Sequence, residues 1–316
     1  MRRPRARTVA LGALGLLVLV IFGWIPFWLG GAATARRFTF RDRENEGLTP
    51  ASFQLPFEAV AFRSADGVDL KGWWVPAPGA RGTVVLVHGL NRSRIEMVKK
   101  VPFLHRLGWN ALLFDLRHHG DSGAAVRSFG YFERQDVHAA VAEARRRLSG
   151  LPVAVWGVSL GAASATLAAA EDPTIAAIVC DSTYRSLRDT VGHHLKLFRS
   201  FRWWFRILPE WPVANEVVFW IGRRGGFDPD VVDVKKAAAK LNGRPVLFVA
   251  NSGDRRMPVE IAFELKEAAG PRAQVLVVPG VTHGGAYREG TAAYERAVED
   301  VLTQAVGGPP AQVASR

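Results

Sequence analysis

The amino-acid sequence predicts one large α/β domain with a mainly parallel central sheet, and three features lead to this prediction. Short apolar runs of strand length alternate with helical patterns from residue 57 onwards, in a chain of 316 residues. One run passes through a tight, glycine-containing turn into an alanine-rich helix. Histidine and aspartate residues follow several of the runs, at the edge where parallel sheets bind ligands. The domain is expected to cover residues 56–306.

The predicted sheet opens with a hairpin and continues with buried strands. Residues 57–62 and 68–75 flank Asp66-Gly67, a dipeptide typical of a tight turn. Continuous apolar runs predict strands that are buried on both faces, at residues 83–87, 111–114, 153–158, 175–180, 246–250 and 275–278. Helices are expected on both faces of the sheet, at residues 95–107, 134–148, 160–170, 259–269 and 287–305.

The turn that follows the predicted strand at residues 153–158 carries the sequence Gly157-Val158-Ser159-Leu160-Gly161. In a G-x-S-x-G nucleophile elbow the serine occupies a strained position between a strand and a helix. The two glycines let the strand and the helix pass close together, and the helix N-terminus faces the developing negative charge. Ser159 is therefore the predicted nucleophile, with a plain strand-to-helix turn as the alternative.

A serine nucleophile needs a base, and histidine is the usual one, held by a carboxylate. Of the eight histidines, His283 alone follows all the predicted strands, in a loop of small residues. Asp254, just past its strand, is the predicted carboxylate, and Asp181 at the end of the preceding strand is its rival. The chain order Ser159, Asp254, His283 is the order that this kind of elbow predicts.

Two backbone N–H groups are predicted to stabilise the oxyanion, because such donors must be in place before the charge develops. Leu160 directly follows the nucleophile, and Leu90 lies in the loop after the strand that ends in His88-Gly89. His88 itself is expected to support this loop rather than to take part in the chemistry.

Together these segments resemble the serine hydrolases of the α/β-hydrolase superfamily. The resemblance spans residues 57–305 and is carried by Val87-His88-Gly89, residues 115–122, residues 157–161, residues 254–258 and Gly280-Val281-Thr282-His283. It implies an acyl-enzyme mechanism without a cofactor. The pattern is most similar to the prolyl-oligopeptidase-like and monoacylglycerol-lipase-like branches, which include membrane-anchored members. The epoxide-hydrolase and dehalogenase branches use aspartate where this chain has Ser159.

Two positions depart from the pattern of the superfamily. His118 stands where glycine is usual in D-x-R-G-H-G-x-S, and Ala250-Asn251 stands where the strand before the acid often ends in His-Gly. The second departure puts the local shape of the loop in question, but not the acid Asp254.

The adjacent histidine pairs, His118-His119 and His193-His194, do not predict a metal site. Neighbouring side chains point apart on a strand and do not share one face of a helix. The sequence contains neither an H-x-H-x-D nor an H-E-x-x-H motif. No metal and no other cofactor is expected.

The N-terminal segment is predicted to be a single transmembrane anchor within residues 1–35. Residues 8–35 contain no charged side chain and would form about 42 Å of helix, against a hydrocarbon core of about 30 Å. Ala33-Thr34-Ala35 resembles a small-residue cleavage site, so a cleaved signal peptide is the alternative. The short basic tail before the segment favours an extracytoplasmic domain, although four arginines lie on each side. Residues 36–55 are expected to form a linker, and residues 307–316 a disordered tail.

The formal net charge of +12 makes nucleic acid a partner to consider. No nucleic-acid-binding motif accompanies the charge and the arginines are scattered, so no nucleic-acid partner is expected. Attraction to an anionic membrane surface suits an anchored protein better. The single cysteine, Cys180, lies in an apolar run and cannot form an internal disulfide.

An insertion at residues 183–243 is predicted to form a helical lid over the site. It contains Trp203, Trp204, Trp211 and Trp220, and residues 196–208 have the pattern of an amphipathic helix. A cap packed on the core is one interpretation of this pattern. An acyl-binding or membrane-facing surface, with arginines on lipid phosphates, is the other.

The sequence thus predicts a membrane-anchored hydrolase that cleaves carboxylic esters, with membrane lipid and a small ester or acyl substrate as its partners. A serine peptidase or amidase is the alternative enzyme, because the same triad can protonate a leaving amine. A non-catalytic scaffold that keeps the fold for partner binding is the alternative from another class.

Overall fold

The computed structural model describes residues 6–35, 39, 42, 44–201, 203, 206 and 208–307. Its centre is an eight-stranded sheet in the order β1-β2-β4-β3-β5-β6-β7-β8. β1 and β2 form an antiparallel hairpin, β2 is antiparallel to β4, and all other pairs are parallel. The strands are β1 Glu58–Arg63, β2 Asp69–Val75, β3 Gly82–Val87, β4 Trp109–Phe114, β5 Val153–Val158, β6 Ile175–Asp181, β7 Val246–Asn251 and β8 Ala273–Val278. The predicted α/β architecture is confirmed.

Helices cover both faces of the sheet and divide the core into two layers. One apolar layer lies between the sheet and α4, α5, α8 and α9, and the other between the sheet and α3 and α11. The helices are α1 Ala6–Leu19, α2 Ile25–Ala35, α3 Val101–Arg106, α4 Glu133–Arg147, α5 Leu160–Glu171, α6 Leu187–Phe201, α7 Glu210–Gly225, α8 Val234–Ala238, α9 Glu260–Ala269, α10 Ala286–Glu289 and α11 Thr291–Gly307. This arrangement leaves the carboxyl ends of the parallel strands open for a site.

Two predicted helices differ from the structure, and proline and glycine explain why. Residues 95–107 form a 3-10 helix, Arg94–Lys100, followed by α3. Pro102 lies in the first turn of α3, where its missing N–H costs nothing. The closing helix predicted at 287–305 is two helices, separated at Gly290. A Cβ atom at Gly290 would lie 2.7 Å from the Val278 side chain, so the chain needs glycine where it passes the end of β8.

The insertion between β6 and β7 is helical, but the predicted helix at 196–208 has the wrong bounds. Helix α6 begins at Leu187 and ends at Phe201. Its start is marked by Ser186, whose Oγ accepts a hydrogen bond from the Asp189 N–H at 3.1 Å, a capping signal that the apolar pattern alone did not reveal. Pro209 disfavours helical geometry at the residue before it, which helps to end the pattern. Within the predicted helix, residues 202, 204, 205 and 207, among them Trp204, lie outside the described part of the chain.

The N-terminal segment is one continuous helix, Thr8–Ala35, which by length and composition could cross a membrane. It consists of α1, a π-helical segment Val20–Trp24, and α2. A membrane anchor and a signal sequence both meet this criterion. Of the expected linker, residues 50–53 form a 3-10 turn, and part of residues 36–43 is not described. The expected C-terminal tail lies outside the described residues from 308 onwards.

Candidate active site

The turn between β5 and α5 has the geometry that its glycines predict. Ser159 has φ +51° and ψ −110°, a conformation that L-residues rarely adopt. A Cβ atom at Gly157 would lie 2.3 Å from the Gly161 carbonyl carbon, and one at Gly161 would lie 2.3 Å from the Val87 carbonyl oxygen. The end of β5, the start of α5 and the end of β3 are therefore in backbone contact, which holds the serine at the carboxyl edge of the sheet.

We expect Gly161→Ala to destabilise the domain by about 3 kcal/mol, because the new methyl group would overlap backbone atoms of β3 that have no room to move. The matched control is Gly192→Ala in α6, where a Cβ atom would meet no atom within 4 Å. That substitution should raise stability by up to about 1 kcal/mol through helix propensity. Urea denaturation of both variants gives the comparison, and equal stability of the two would contradict the packing described for the elbow.

Ser159, His283 and Asp254 lie in one hydrogen-bonded row. His283 Nε2 is 2.9 Å from Ser159 Oγ, and His283 Nδ1 is 2.7 Å from Asp254 Oδ2. The other Asp254 oxygen accepts hydrogen bonds from the backbone N–H groups of Arg256 and Met257. Burial raises the pKa of Asp254, but the hydrogen bond to His283 and these two N–H groups outweigh it, and the pKa lies below its usual range.

Asp181, the rival carboxylate, is engaged elsewhere. Its Oδ2 accepts a hydrogen bond from the Tyr294 hydroxyl at 3.0 Å, and its Oδ1 accepts one from the Ser182 hydroxyl at 2.8 Å. The side chain is fully buried, and burial raises its pKa. Of the two candidate acids, Asp254 is the one whose carboxylate contacts His283.

The loop that follows β3 is held by two side chains, Glu96 and His119, whose supporting role the sequence pattern did not predict. Glu96 Oε2 accepts the Gly89 N–H at 2.7 Å, and His119 Nε2 accepts the Asn91 N–H at 3.1 Å. Asn91 has φ +58°, a left-handed conformation that asparagine tolerates. Leu90 lies between these two fixed N–H groups and lines the same cavity as Ser159.

His88 and His119 are buried supports of this edge of the sheet. His88 Nε2 accepts the Leu116 N–H at 3.0 Å, and its Nδ1 lies 2.8 Å from the Gly89 carbonyl oxygen. His119 Nδ1 is placed in the same way, 2.8 Å from the Arg117 carbonyl oxygen. Each ring is therefore a neutral tautomer with its proton on Nδ1. Burial lowers the pKa of His88 to about 4 and lowers that of His119 as well.

We expect stability to fall as the pH falls from about 6.5 to 4. In this range the unfolded chain binds protons at His88 and His119 while the folded chain does not, and protonation would break the bonds that each Nε2 accepts. The shift of His88 from 6.5 to about 4 corresponds to about 3 kcal/mol. Denaturation of H88Q and H119Q across this range should show a weaker pH dependence than the wild type. A slope in the double variant H88Q/H119Q as steep as that of the wild type would contradict this assignment.

The backbone conformation of His118, which departs from the superfamily pattern, explains why glycine is usual at this position. His118 has φ +63°, a conformation that glycine adopts without strain. Nearby, Asp115 accepts hydrogen bonds from the Arg94 and Asp121 N–H groups and forms an ion pair with the Arg94 guanidinium. This segment therefore ties the end of β4 to the loop after β3.

Ser159 opens into a mainly apolar cavity of about 390 Å³ between the sheet edge and the lid. Leu90 and Leu160, the two predicted oxyanion donors, both line it. Most of the remaining lining side chains are apolar and come from the lid and the N-terminal helix, among them Leu29, Ala33, Leu195, Phe198, Val217 and Ile221. The described lining residues include two arginines, Arg127 and Arg256, and no aspartate or glutamate. An apolar group carrying a neutral or negative polar end fits this charge distribution.

Two of the four tryptophans predicted to lie over the site are instead exposed at the surface. Trp203 is 77% exposed and Trp211 is 74% exposed, and neither is among the residues that line the cavity. Phe198, half exposed, is the aromatic residue of α6 that does line it.

The two histidine pairs are not part of a candidate metal site. In the described ranges, no cluster of three or more histidine, cysteine or acidic residues could hold a metal ion.

Fold and site together define an α/β-hydrolase. A family model described as serine aminopeptidase, S33 matches residues 78–245, which is more than half of the chain, and the chain belongs to this family. A second model, described as TAP-like protein, matches residues 228–312. Between them the two models cover the sheet from β3 onwards, the lid and the loop that carries His283.

Known proteins similar to this chain include bacterial and archaeal ones. The Bacillus subtilis protein YqkD is 28% identical over 254 residues, 79% of this chain and 80% of its own length. The Mycobacterium tuberculosis protein Rv2307c is 29% identical over 288 residues, 88% of this chain and 89% of its own length. The solved structure of the Pyrococcus furiosus esterase Pf2001 superposes with a TM-score of 0.67 at 24% identity, covering 84% of this chain and 98% of that one. This last likeness supports the fold.

Proposed function

We propose that the protein is a membrane-anchored serine hydrolase that cleaves carboxylic esters of apolar acyl groups. The observation that carries the proposal is the row of Ser159, His283 and Asp254 at the wall of an apolar cavity. A serine hydroxyl is a poor nucleophile at neutral pH unless a base lies within hydrogen-bond reach, and His283 lies within that reach.

In the proposed reaction Ser159 Oγ attacks the ester carbonyl carbon while its proton passes to His283 Nε2. The negative charge on the carbonyl oxygen is stabilised by the N–H groups of Leu90 and Leu160. Collapse of the tetrahedral intermediate breaks the bond to the alcohol oxygen, which takes the proton from His283 as it leaves. In the second half of the reaction, water gives a proton to His283 and attacks the carbonyl carbon of the acyl-enzyme. The bond from this carbon to Ser159 Oγ then breaks, Oγ takes the proton back from His283, and the acid is released.

The cavity favours an ester over the substrate of an aminopeptidase. An aminopeptidase must bind the positively charged α-amino group of its substrate, and a carboxylate is the usual partner for such a charge. The described lining contains Arg127 and Arg256 instead, and no acidic side chain. The similar Pyrococcus furiosus protein is an esterase by name. A serine peptidase or amidase remains the second candidate, because the family description names an aminopeptidase.

The proposed location is a membrane, with a single span and the hydrolase domain on the extracytoplasmic side. The helix Thr8–Ala35 is long and apolar enough to cross. The basic tail before it favours retention of the N-terminus inside. The formal net charge of +12 then favours attraction to anionic lipid, and we propose no nucleic-acid partner.

The proposal is tested with the purified full-length protein in detergent. A fluorophosphonate probe should label the wild type and fail to label H283A, because the base that activates Ser159 is lost. A panel of p-nitrophenyl esters with short to long acyl chains, beside aminoacyl p-nitroanilides, then measures substrate class. We expect the rates to rise with chain length among the esters and to stay low for the anilides.

Other outcomes separate the alternatives. Faster turnover of the anilides than of every ester would favour the peptidase. A folded wild type that neither accepts the probe nor hydrolyses any acyl substrate would favour the non-catalytic scaffold.

A further inference from the structure

The first helix of the chain exposes apolar side chains in every direction. Five leucines of α1 are each more than half exposed: Leu11, Leu14, Leu16, Leu17 and Leu19. A helix that is apolar all round requires apolar surroundings. Lipid provides these surroundings for a segment of this length. Because α1 continues without a break into α2, the position of α2 on the domain also fixes where the bilayer lies.

Helix α2, in contrast to α1, is seated on the lid helix α7. A Cβ atom at Gly30 would lie 2.7 Å from the Trp220 Cβ atom and 2.9 Å from the Trp220 carbonyl carbon. The two helices therefore touch at a position where only glycine fits. Thr34, one turn later, is 2% exposed, and its carbonyl oxygen accepts the Arg127 N–H at 3.1 Å. Small residues at such crossings are typical of helices that pack closely in membranes.

The same helix forms a wall of the cavity that contains Ser159. Leu29 and Ala33 are one turn apart on α2, and both line the cavity. Val217 and Ile221, one turn apart on α7, line it beside them. The part of the N-terminal segment that follows the exposed leucines is thus a component of the acyl site, in addition to any role as an anchor.

The contacts between α2 and α7 show that the two helices run in the same direction. The Phe27 ring lies 4.9 Å from the Trp220 ring, and Thr34 lies beside Gly225 further along both helices. The beginning of α7, with the described residues 208 and 209 before it, therefore lies towards the membrane end of α2. We call the described residues 201, 203, 206 and 208–211 the lid tip; three of them, Phe201, Trp203 and Trp211, are exposed aromatic residues.

The length of the helix places the cavity at the surface of the bilayer. A hydrocarbon core of about 30 Å needs about 20 residues of helix, so a core that begins at Thr8 ends near Phe27. Trp24 and Trp28 are exposed near that level, where the interface favours tryptophan. The cavity wall of α2 then lies at the headgroup level, and the lid tip reaches deeper, as aromatic residues of interfacial helices do.

We propose that α2 is a fixed wall of the acyl site, and that the substrates are acyl lipids that enter the cavity directly from the bilayer between α2 and the lid. The proposal rests on the function proposed above, because it assigns a substrate class to that same site. The acyl chain lies along Leu29 and the lid helices, while the ester carbon reaches Ser159. A soluble short-chain ester needs neither the wall nor the bilayer.

The experiment uses the full-length protein in proteoliposomes, with a long-chain acyl ester in the same bilayer and a short, water-soluble ester in the buffer. The readout is the ratio of the two rates, so that the short ester reports the folded and active fraction. G30L should force α2 away from α7 and lower the long-to-short ratio about tenfold, through loss of apolar contact with the chain. The matched control G15L lies in the same helix with no atom within 4 Å of its Cβ position and should keep the wild-type ratio.

A second pair of variants leaves the contact between α2 and α7 intact. L29W should occupy part of the cavity and shorten the longest acyl chain accepted, while L17W, on the lipid-exposed part of the helix, should leave the chain-length profile unchanged. A wild-type ratio in G30L together with a wild-type chain-length profile in L29W would overturn the proposal, as would equal losses in the controls G15L and L17W. Failure of the wild type to hydrolyse either ester in a Ser159-dependent manner would instead refute the proposed function.

Discussion

Replacement of Ser159 by alanine is expected to lower the kcat/KM for every ester substrate by at least about 10⁴-fold, the scale of loss when a triad nucleophile is removed. Alanine keeps the backbone of the elbow but has no Oγ to attack the carbonyl carbon or to hydrogen-bond with His283. The rate that remains would come from the cavity and the oxyanion donors alone. Steady-state kinetics with a short-chain ester and fluorophosphonate labelling measure the effect.

The control for this substitution is Ser164→Ala in α5, the helix that starts at the elbow. Ser164 is fully buried, and its Oγ donates a hydrogen bond to the Leu160 carbonyl oxygen at 2.8 Å. S164A should lose only about 1 kcal/mol of stability and retain labelling. Wild-type activity in S159A would show that another residue is the nucleophile.

The second large effect is expected for Asp254→Asn, which should lower kcat by about 10⁴-fold with little change in fold. The carboxylate holds the proton of His283 on Nδ1 and stabilises the imidazolium that forms when Ser159 attacks. An amide of the same shape has no charge, and its NH₂ group favours the wrong tautomer of the ring. Single-turnover kinetics at neutral pH isolate this effect from product release.

Asp181→Asn is the matched control, because Asp181 is the other carboxylate at the carboxyl edge of the sheet. Its oxygens accept from Tyr294 and Ser182 rather than from His283. D181N should therefore reduce stability by about 2 kcal/mol through one mismatched buried hydrogen bond, and leave kcat close to the wild-type value. A loss of kcat in D181N as large as that in D254N would reassign the acid.

Much of the fold could be predicted from the sequence, because the strands of a parallel sheet are buried on both faces and appear as continuous apolar runs. β5 has the predicted bounds, and the other strands differ by at most two residues at either end. Helix ends were harder to predict, since capping at Ser186 and the break at Gly290 depend on single side chains and on packing against β8. The positions of Ser159, Asp254 and His283 followed from chain order, because strand ends meet at one edge.

The sequence by itself determined the order of the elements, the elbow and the candidate triad, since these depend on local pattern and on the rule that parallel strands end together. Tertiary structure decided which carboxylate contacts His283, because Asp181 and Asp254 both follow strands and only packing separates them. It also decided that Glu96 and His119 fix the loop around Leu90. Above all, it placed α2 against α7, since an apolar helix of this kind has the same pattern whether it faces lipid or forms the wall of an active site.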